Sequence, residues 1–240
     1  MRDERLAVIV PMFNESANAE RCVTRITDEL ASRVPDAMLV VVDDGSTDGT
    51  GAILEAAVKK RPFLVEHHGM NRGYGAALVT GARAARRAKF EYGLFMDADL
   101  TNDPALIPAF AEKLLDGRYD LVKASRYVNG GGMSGVPAWR RAFTIVGNQI
   151  ASRLFGMGIK DCTNGFRAVR LSLICDEEFE EKGFPQILEE LLVLKRKRAQ
   201  ATEIPYVLTA RGRGGGTSKF TYSPRVLYKY LRYAVKAALV

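Results

Sequence analysis

The chain is 240 residues long, 47% apolar and 26% charged, which excludes a disordered, collagenous or coiled-coil protein and suits one large domain or two small ones. The net charge of +7 is uneven: residues 195–240 hold eleven Lys and Arg against the single acid Glu203, whereas residues 1–194 hold 24 bases and 27 acids. Such a basic C-terminal fifth points to phosphate partners, whether a nucleotide, an anionic lipid surface or nucleic acid.

In chain order, Leu6–Val10 is a short apolar run ending at Pro11, which predicts a buried strand. Ala17 to Ala31 carries helical spacing through Val23, Ile26 and Leu30. Met38–Val42 predicts a second strand, followed by a helix over about Asp48–Lys60 and a third strand at Phe63–Val65. A glycine-rich turn opens a helix from about Tyr74 to Ala88, and Tyr92–Met96 predicts a fourth strand. Asp103-Pro104 reads as an N-cap with proline at the first helical position, starting a helix to about Leu115. Leu121–Ala124 is a fifth strand; helices at about Pro137–Phe155 and Gln186–Lys197, a strand near Thr202–Val207 and a helix after Pro224 complete the pattern. Strands alternating with helices predict an α/β fold with a mostly parallel sheet flanked by helices. No run reaches the roughly 18 apolar residues of a membrane span. The N-terminus lacks signal-peptide character, and Cys22, Cys162 and Cys175 have no metal-ligand spacing. The expectation is a cytoplasmic protein with reduced, buried thiols.

In an open parallel sheet, ligands bind beyond the carboxyl ends of the strands. Here those ends are polar: Pro11-Met12-Phe13-Asn14-Glu15 after the first, Asp43-Asp44-Gly45-Ser46 after the second, Asp97-Ala98-Asp99 after the fourth. In extended backbone, Asp97 and Asp99 project to the same side about 7 Å apart. They are either a solvated or capping pair, or ligands of a hard divalent cation that completes its shell with water and phosphate oxygens. Asp43 and Asp44 suit a turn and cap, and equally suit recognition of a base N–H or ribose hydroxyl. Gly73-x-Gly75 before a helix is either a tight turn or a place where a diphosphate approaches backbone N–H groups. Leu78 leaves the dinucleotide fingerprint incomplete.

Taken in order, these motifs resemble the family 2 glycosyltransferases of GT-A (Rossmann-like) fold, most of all the polyprenyl-phosphate (dolichol-phosphate) mannose synthase branch. The matching segments are residues 10–15, 41–50, 96–100, 124–127, Gly130–Gly132, Asp161 through Phe166, Ile187-Leu188-Glu189 and Arg213 through Lys219. The resemblance implies that Pro11, Phe13, Glu15, Asp43 and Asp44, with Gly73 and Ala98 beside them, hold the nucleotide. It implies that Asp97 and Asp99 hold Mg²⁺ or Mn²⁺, with Thr101 where the family usually has Gln. Arg126, Arg140, Thr144, Arg213, Ser218 and Lys219 fall where the family gathers phosphates; Arg126, Arg140, Thr144 and Ser218 belong to the acceptor phosphate. Arg matches phosphate as a bidentate fork, and Lys as a point charge. Residues 1–223 then form the catalytic domain, its nucleotide-sugar half about 1–125 and its acceptor half about 126–223. Residues 224–240 form a basic amphipathic helix.

The expected reaction is inverting transfer of a hexose from a nucleotide sugar to a polyprenyl or dolichyl phosphate. GDP-mannose is the favoured donor, with a UDP-sugar as the other candidate. A phosphomonoester is largely dianionic at neutral pH and needs cationic clamps but no general base. The chain lacks the Glu-Asp pair and the Gln-x-x-Arg-Trp segment usual in hydroxyl-transferring relatives; Glu189 and Glu190 read as a mid-helix pair. A hydroxyl-acceptor glycosyltransferase is the alternative. Nucleic-acid binding would explain the basic tail but not the strand-end acids. On a helical wheel Arg225, Lys229, Arg232 and Lys236 share one arc. This stripe predicts contact with an anionic membrane, and so a protein peripheral to the inner face of a membrane, with a separate membrane-anchoring subunit as a further candidate partner.

Overall fold

The computed structural model describes residues 5–114, 117–209 and 224–240. The chain runs β1 (Leu6–Met12), α1 (Ala19–Arg33), β2 (Met38–Asp43), α2 (Thr50–Val58), β3 (Leu64–His67), α3 (Tyr74–Arg87) and β4 (Tyr92–Phe95). It continues with α4 (Ile107–Leu114), β5 (Leu121–Ser125), β6 (Gly132–Met133), α5 (Ala138–Phe155), β7 (Arg167–Arg170) and α6 (Gln186–Arg196). Then come β8 (Ala201–Pro205), β9 (Val207–Leu208) and α7 (Pro224–Ala238). Seven strands form one sheet in the order β3-β2-β1-β4-β7-β5-β8; β6 and β9 pair separately.

The strands of the first half are apolar because both faces of the sheet are covered. Along β1, Leu6, Val8, Val10 and Met12 pack with α1 residues Cys22, Val23 and Ile26 and α4 residue Phe110. Ala7 and Ile9 face the opposite core, with Leu78 and Ala82 of α3, Leu188 and Leu191 of α6, and Tyr233 and Ala237 of α7. The final helix therefore enters the second core. Gly81 lets α3 lie directly on Ile9, where any Cβ would collide. Asp103 caps the turn before α4 as expected, its carboxylate accepting the Ala105 N–H at 3.1 Å.

β1 pairs with β2 on one side and β4 on the other, all parallel, so the strand order reverses at β1. The crevice beyond β1 and β4 is the place such sheets bind ligands. β7 was not anticipated from the sequence. It runs antiparallel between β4 and β5, opposing Arg167 to Phe95 and Lys123. All three cysteines are buried free thiols. Among the described residues, no helix is long and apolar enough to cross a membrane.

Candidate active site

The loops after β1 and β2 are stitched together. Asn14 N–H donates to Ser46 Oγ at 3.0 Å, and its side-chain oxygen accepts the Thr47 N–H at 2.9 Å. Glu15 N–H donates to Thr50 Oγ1 and Ser16 N–H to Asp48, each at 2.9 Å. Desolvation opposes it, but hydrogen bonds from Thr50 and Ser16 hold the Asp48 carboxyl well below the usual carboxylate range. Asp43 and Asp44 are both buried. Asp43 accepts the Ser46 N–H at 3.0 Å and meets His67 Nδ1 at 3.2 Å. Asp44 accepts the backbone N–H groups of Arg72 and Gly73 at 2.9 Å and lies 2.5 Å from His68 Nδ1. The two aspartates thus build the nucleotide-side loop from within. His68, missed in the sequence, completes it through Thr80 Oγ1 at 2.9 Å.

The acids after β4 sit on a turn, not on the strand end assumed from the sequence. β4 stops at Phe95, and Leu100 takes a left-handed φ of 58°. Strand alternation therefore does not set the directions of Asp97 and Asp99. Instead, Asp99 accepts the Thr101 N–H at 3.0 Å and its hydroxyl at 2.7 Å, while the Asp97 N–H donates to Asn102 at 2.8 Å. Thr101 thereby orients Asp99 with the hydroxyl that was expected to face a metal. Ala98 between them is buried, while Asp97 and Asp99 are half-buried. Burial first, then the charges of Asp99, Glu15 and Asp97, push the Cys22 thiol up to about 12. Burial likewise lifts Tyr206 to about 12, with Asp97 and Asp99 adding to the rise and Arg126 opposing it. Asp97 and Asp99 follow β4, which pairs in parallel with β1, so they lie at the same carboxyl edge of the sheet as the loop that carries Glu15. Pro11 and Phe13 lie on its β1 side, partly exposed.

Gly73 and Gly75 do not offer their N–H groups to a diphosphate. Gly73 donates to Asp44, and Gly75 donates to the Lys182 carbonyl at 2.8 Å. A Cβ on Gly73, whose φ is +96°, would stand 2.5 Å from that carbonyl oxygen. The residue between them reaches the acids after β4. Tyr74 stacks on Phe184 at 4.7 Å and donates its hydroxyl to Asp97 Oδ1 at 3.3 Å. Burial, with the Asp97 charge, pushes this phenol well above its ordinary value. An aromatic residue framed by two glycines was the available sequence signal.

The family model for glycosyl transferase family 2 matches residues 7–176, which contain the loops after β1, β2 and β4. The chain belongs to glycosyl transferase family 2. It is 31% identical over 233 residues to the dolichol-phosphate mannosyltransferase of Pyrococcus furiosus, covering 95% of this chain and 62% of that protein. It is 29% identical to the polyprenol monophosphomannose synthase of Mycolicibacterium smegmatis, covering 98% of this chain and 89% of the relative. The undecaprenyl-phosphate mannosyltransferase of Micrococcus luteus is also 29% identical, with 88% and 86% covered. The fold matches glucosyl-3-phosphoglycerate synthase from Mycobacterium tuberculosis, solved with Mn²⁺, uridine diphosphate and glucosyl-3-phosphoglycerate. Its TM-score is 0.65 at 21% identity, over 98% of this chain and 79% of that one.

The second half of this family 2 chain uses its charges differently from expectation. Arg126 is clamped by buried Asp161: Nε to Oδ2 at 2.7 Å, Nη2 to Oδ1 at 2.8 Å, and the backbone N–H at 3.1 Å. Burial opposes its charge, but Asp161 more than restores it, holding the guanidinium above its ordinary value. Arg126 is thus neutralised inside the protein, not presented as a free phosphate fork. Its Nη2 also reaches Thr163, which joins Asn148, Thr144 and Tyr127 in one polar network. Arg140 stands one turn before Thr144 on the exposed start of α5, its guanidinium 5.2 Å from the Trp139 ring. Arg213, Ser218 and Lys219 lie outside the described residues.

Glu189 falls in the first turn of α6 and Glu190 just after it, and both are buried. Glu190 takes both Nε and Nη2 of fully buried Arg167, at 2.5 and 2.6 Å. Glu189 accepts the N–H groups of Glu180 and Glu181 at 2.9 Å. Those two acids in turn hold α7: Lys229 meets Glu181 at 2.7 Å and Arg232 meets Glu180 at 2.5 Å. Two residues of the predicted basic stripe, Lys229 and Arg232, are therefore paired with an acidic segment of the protein itself. The exposed large apolar and aromatic residues of α7 are Leu227, Tyr228, Leu231 and Val235. The Lys195–Arg198 run ends α6 as expected, and Lys195 also donates to the carbonyls of Leu154 and Ala237, near the C-terminal ends of α5 and α7.

Proposed function

We propose that the chain transfers a hexose, with mannose favoured, from a nucleotide sugar to a polyprenyl or dolichyl phosphate, inverting the anomeric configuration. The observation that carries this reading is the placement of Asp97 and Asp99 just past the end of β4, next to β1 where the strand order reverses, at the same sheet edge as the interlocked β1 and β2 loops, in a family 2 chain. The names of the polyprenyl- and dolichol-phosphate relatives support the acceptor class. The chain spans 62% of the Pyrococcus relative's length.

Two half-buried carboxylates, each with one oxygen held by a protein hydroxyl, suit a hard divalent ion. Asp97 and Asp99 would hold Mg²⁺ or Mn²⁺, which when bound supplies positive charge to the leaving diphosphate. The chain's own residues position the reactants. The β1 and β2 loops, with Pro11, Phe13, Glu15 and the Asp43–Asp44 turn, receive the nucleoside. Arg140 and Thr144, with Arg213, Ser218 and Lys219, receive phosphate groups. Glu189 and Glu190 are engaged with backbone donors and with Arg167, which leaves them unsuited as general bases and favours an acceptor that needs none.

The lipid side is assigned to the exposed apolar residues of α5 and α7, two helices that pack together. On α5, Trp139, Phe143, Val146 and Ile150 recur at helical spacing and are about half exposed or more; on α7, Leu227, Tyr228, Leu231 and Val235 are exposed. This replaces the basic stripe as the proposed contact with a bilayer or with an anchoring subunit. The test is incubation with labelled GDP-mannose or UDP-glucose, Mn²⁺ or Mg²⁺, and polyprenyl phosphate in vesicles. Lipid-linked sugar of inverted configuration is expected. Transfer only to hydroxyl acceptors, or a retained anomer, overturns the reading.

A further inference from the structure

Tyr74 opens α3 with its backbone pinned on both sides. Gly73 donates to Asp44 and Gly75 donates to Lys182, so the residue between them cannot drift along the turn. Its ring lies on Phe184 with an interplanar angle of 27°. Beneath its hydroxyl is Gly165, where a Cβ would stand 3.2 Å from the oxygen. The segment that carries Lys182 and Phe184 is itself fastened by Glu189, through the N–H groups of Glu180 and Glu181. Phenylalanine would satisfy the stack and the packing equally well. The hydroxyl adds one thing, a hydrogen bond to Asp97 Oδ1.

We propose that Tyr74 is a positioning residue of the divalent-cation site, its hydroxyl fixing one oxygen of Asp97 so that the carboxylate is set before the cation arrives. This rests on the reading of Asp97 and Asp99 as the cation ligands. The arrangement parallels Thr101 on Asp99: each acid is steered by a hydroxyl from the protein. It also links the two ligand regions, because the turn that places Tyr74 is held by Asp44 of the nucleotide-side loop. Groups that orient metal ligands in this way typically change metal affinity about 10- to 100-fold when removed.

The experiment is direct Mn²⁺ binding to the full chain, followed by electron paramagnetic resonance of the free ion, with GDP or UDP present. Tyr74→Phe keeps the ring and removes the oxygen. It is expected to weaken Mn²⁺ binding about 10- to 100-fold, to raise the Mn²⁺ concentration needed for half-maximal transfer, and to leave kcat at saturating Mn²⁺ near the wild-type value. A melting curve run in parallel separates these effects from loss of fold. Asp97→Asn marks the site itself and is expected to abolish this binding. If Asp97→Asn loses Mn²⁺ while Tyr74→Phe binds it within about twofold of wild type, the positioning role is overturned and the metal site stands. If Asp97→Asn binds Mn²⁺ as wild type does, the metal reading fails and the role of Tyr74 with it.

Discussion

The two halves of the sheet handle charge in opposite ways. From β1 to β3, charged residues are kept to the carboxyl ends of apolar strands, where Asp43 and Asp44 organise loops through backbone N–H groups and histidines. In β5 and β7 the charges sit inside the strands. Lys123 and Arg167 are opposed in register and fully buried; Lys123 donates to the Asn164 carbonyl, and the ion pairs of this half draw on acids from elsewhere in the chain. Arg167 takes Glu190 from α6, and Arg126 takes Asp161. Acids at the ends of the apolar strands therefore organise the loops at one sheet edge, whereas Arg126 and Arg167 of the second half are tied into ion pairs within the fold.

The sharpest way to break this contrast is Glu190→Gln. It leaves Arg167 buried with an uncompensated charge, and a stability loss of about 3–5 kcal/mol is expected in urea denaturation. A loss below about 1 kcal/mol would mean that the pair is not holding the second half. Asp44→Asn removes a charged acceptor but keeps a carbonyl for one of the two backbone donors. The expected loss is about 1–3 kcal/mol by the same measurement, smaller than that for Glu190, because loop donors can turn to water.

Lys123 provides a test by pH. Burial, with the nearby Arg167 charge, lowers its amine from 10.5 to about 8, while its Nζ donates to the Asn164 carbonyl at 2.8 Å. Between about pH 8 and 10.5 the unfolded chain holds this proton more often than the folded one, so stability contributed at this site rises with pH. Below pH 8 the burial cost of the charge is fully present. Urea midpoints of wild type relative to Lys123→Met are expected to rise from pH 7.5 toward pH 10; a flat difference would place the charge in a better-solvated setting than its burial indicates. The smallest effect is expected from Lys229→Gln. Its ammonium is 45% exposed, so losing the contact with Glu181 should cost about 0–1 kcal/mol. A larger loss would extend the buried-charge behaviour of the second half to its surface.

Most of the fold was legible because β1, β2 and β4 are built on continuous apolar runs, although β1 carries on through Pro11 to Met12 and β3 lies at Leu64–His67 instead of Phe63–Val65. β7 was not, since Arg-Ala-Val-Arg looks like a surface segment until Glu190, 23 residues later, is placed beside Arg167. The crevice acids were legible as residues but not as geometry. Asp97 and Asp99 lie past the end of β4, and their settings depend on Tyr74, Thr101 and Asn102. The setting of α7 was legible only in part: the helical wheel separated a basic arc from an apolar one, but it did not show that Tyr233, Ala234 and Ala237 enter the core or that Lys229 and Arg232 pair with Glu181 and Glu180.

The attachment of α7 also has a consequence for how the molecule is made. The turn at Gly73–Gly75 is translated early, yet it leans on Lys182, and the 180–182 segment leans on Glu189 and is clasped by Lys229 and Arg232. With domains emerging N-terminal first at about 5–20 residues per second, the strands around β1 can assemble long before their donor-side turn receives its last support. A turn formed by residues 73–75 receives its full support only once Lys229 and Arg232 have emerged and closed on Glu181 and Glu180.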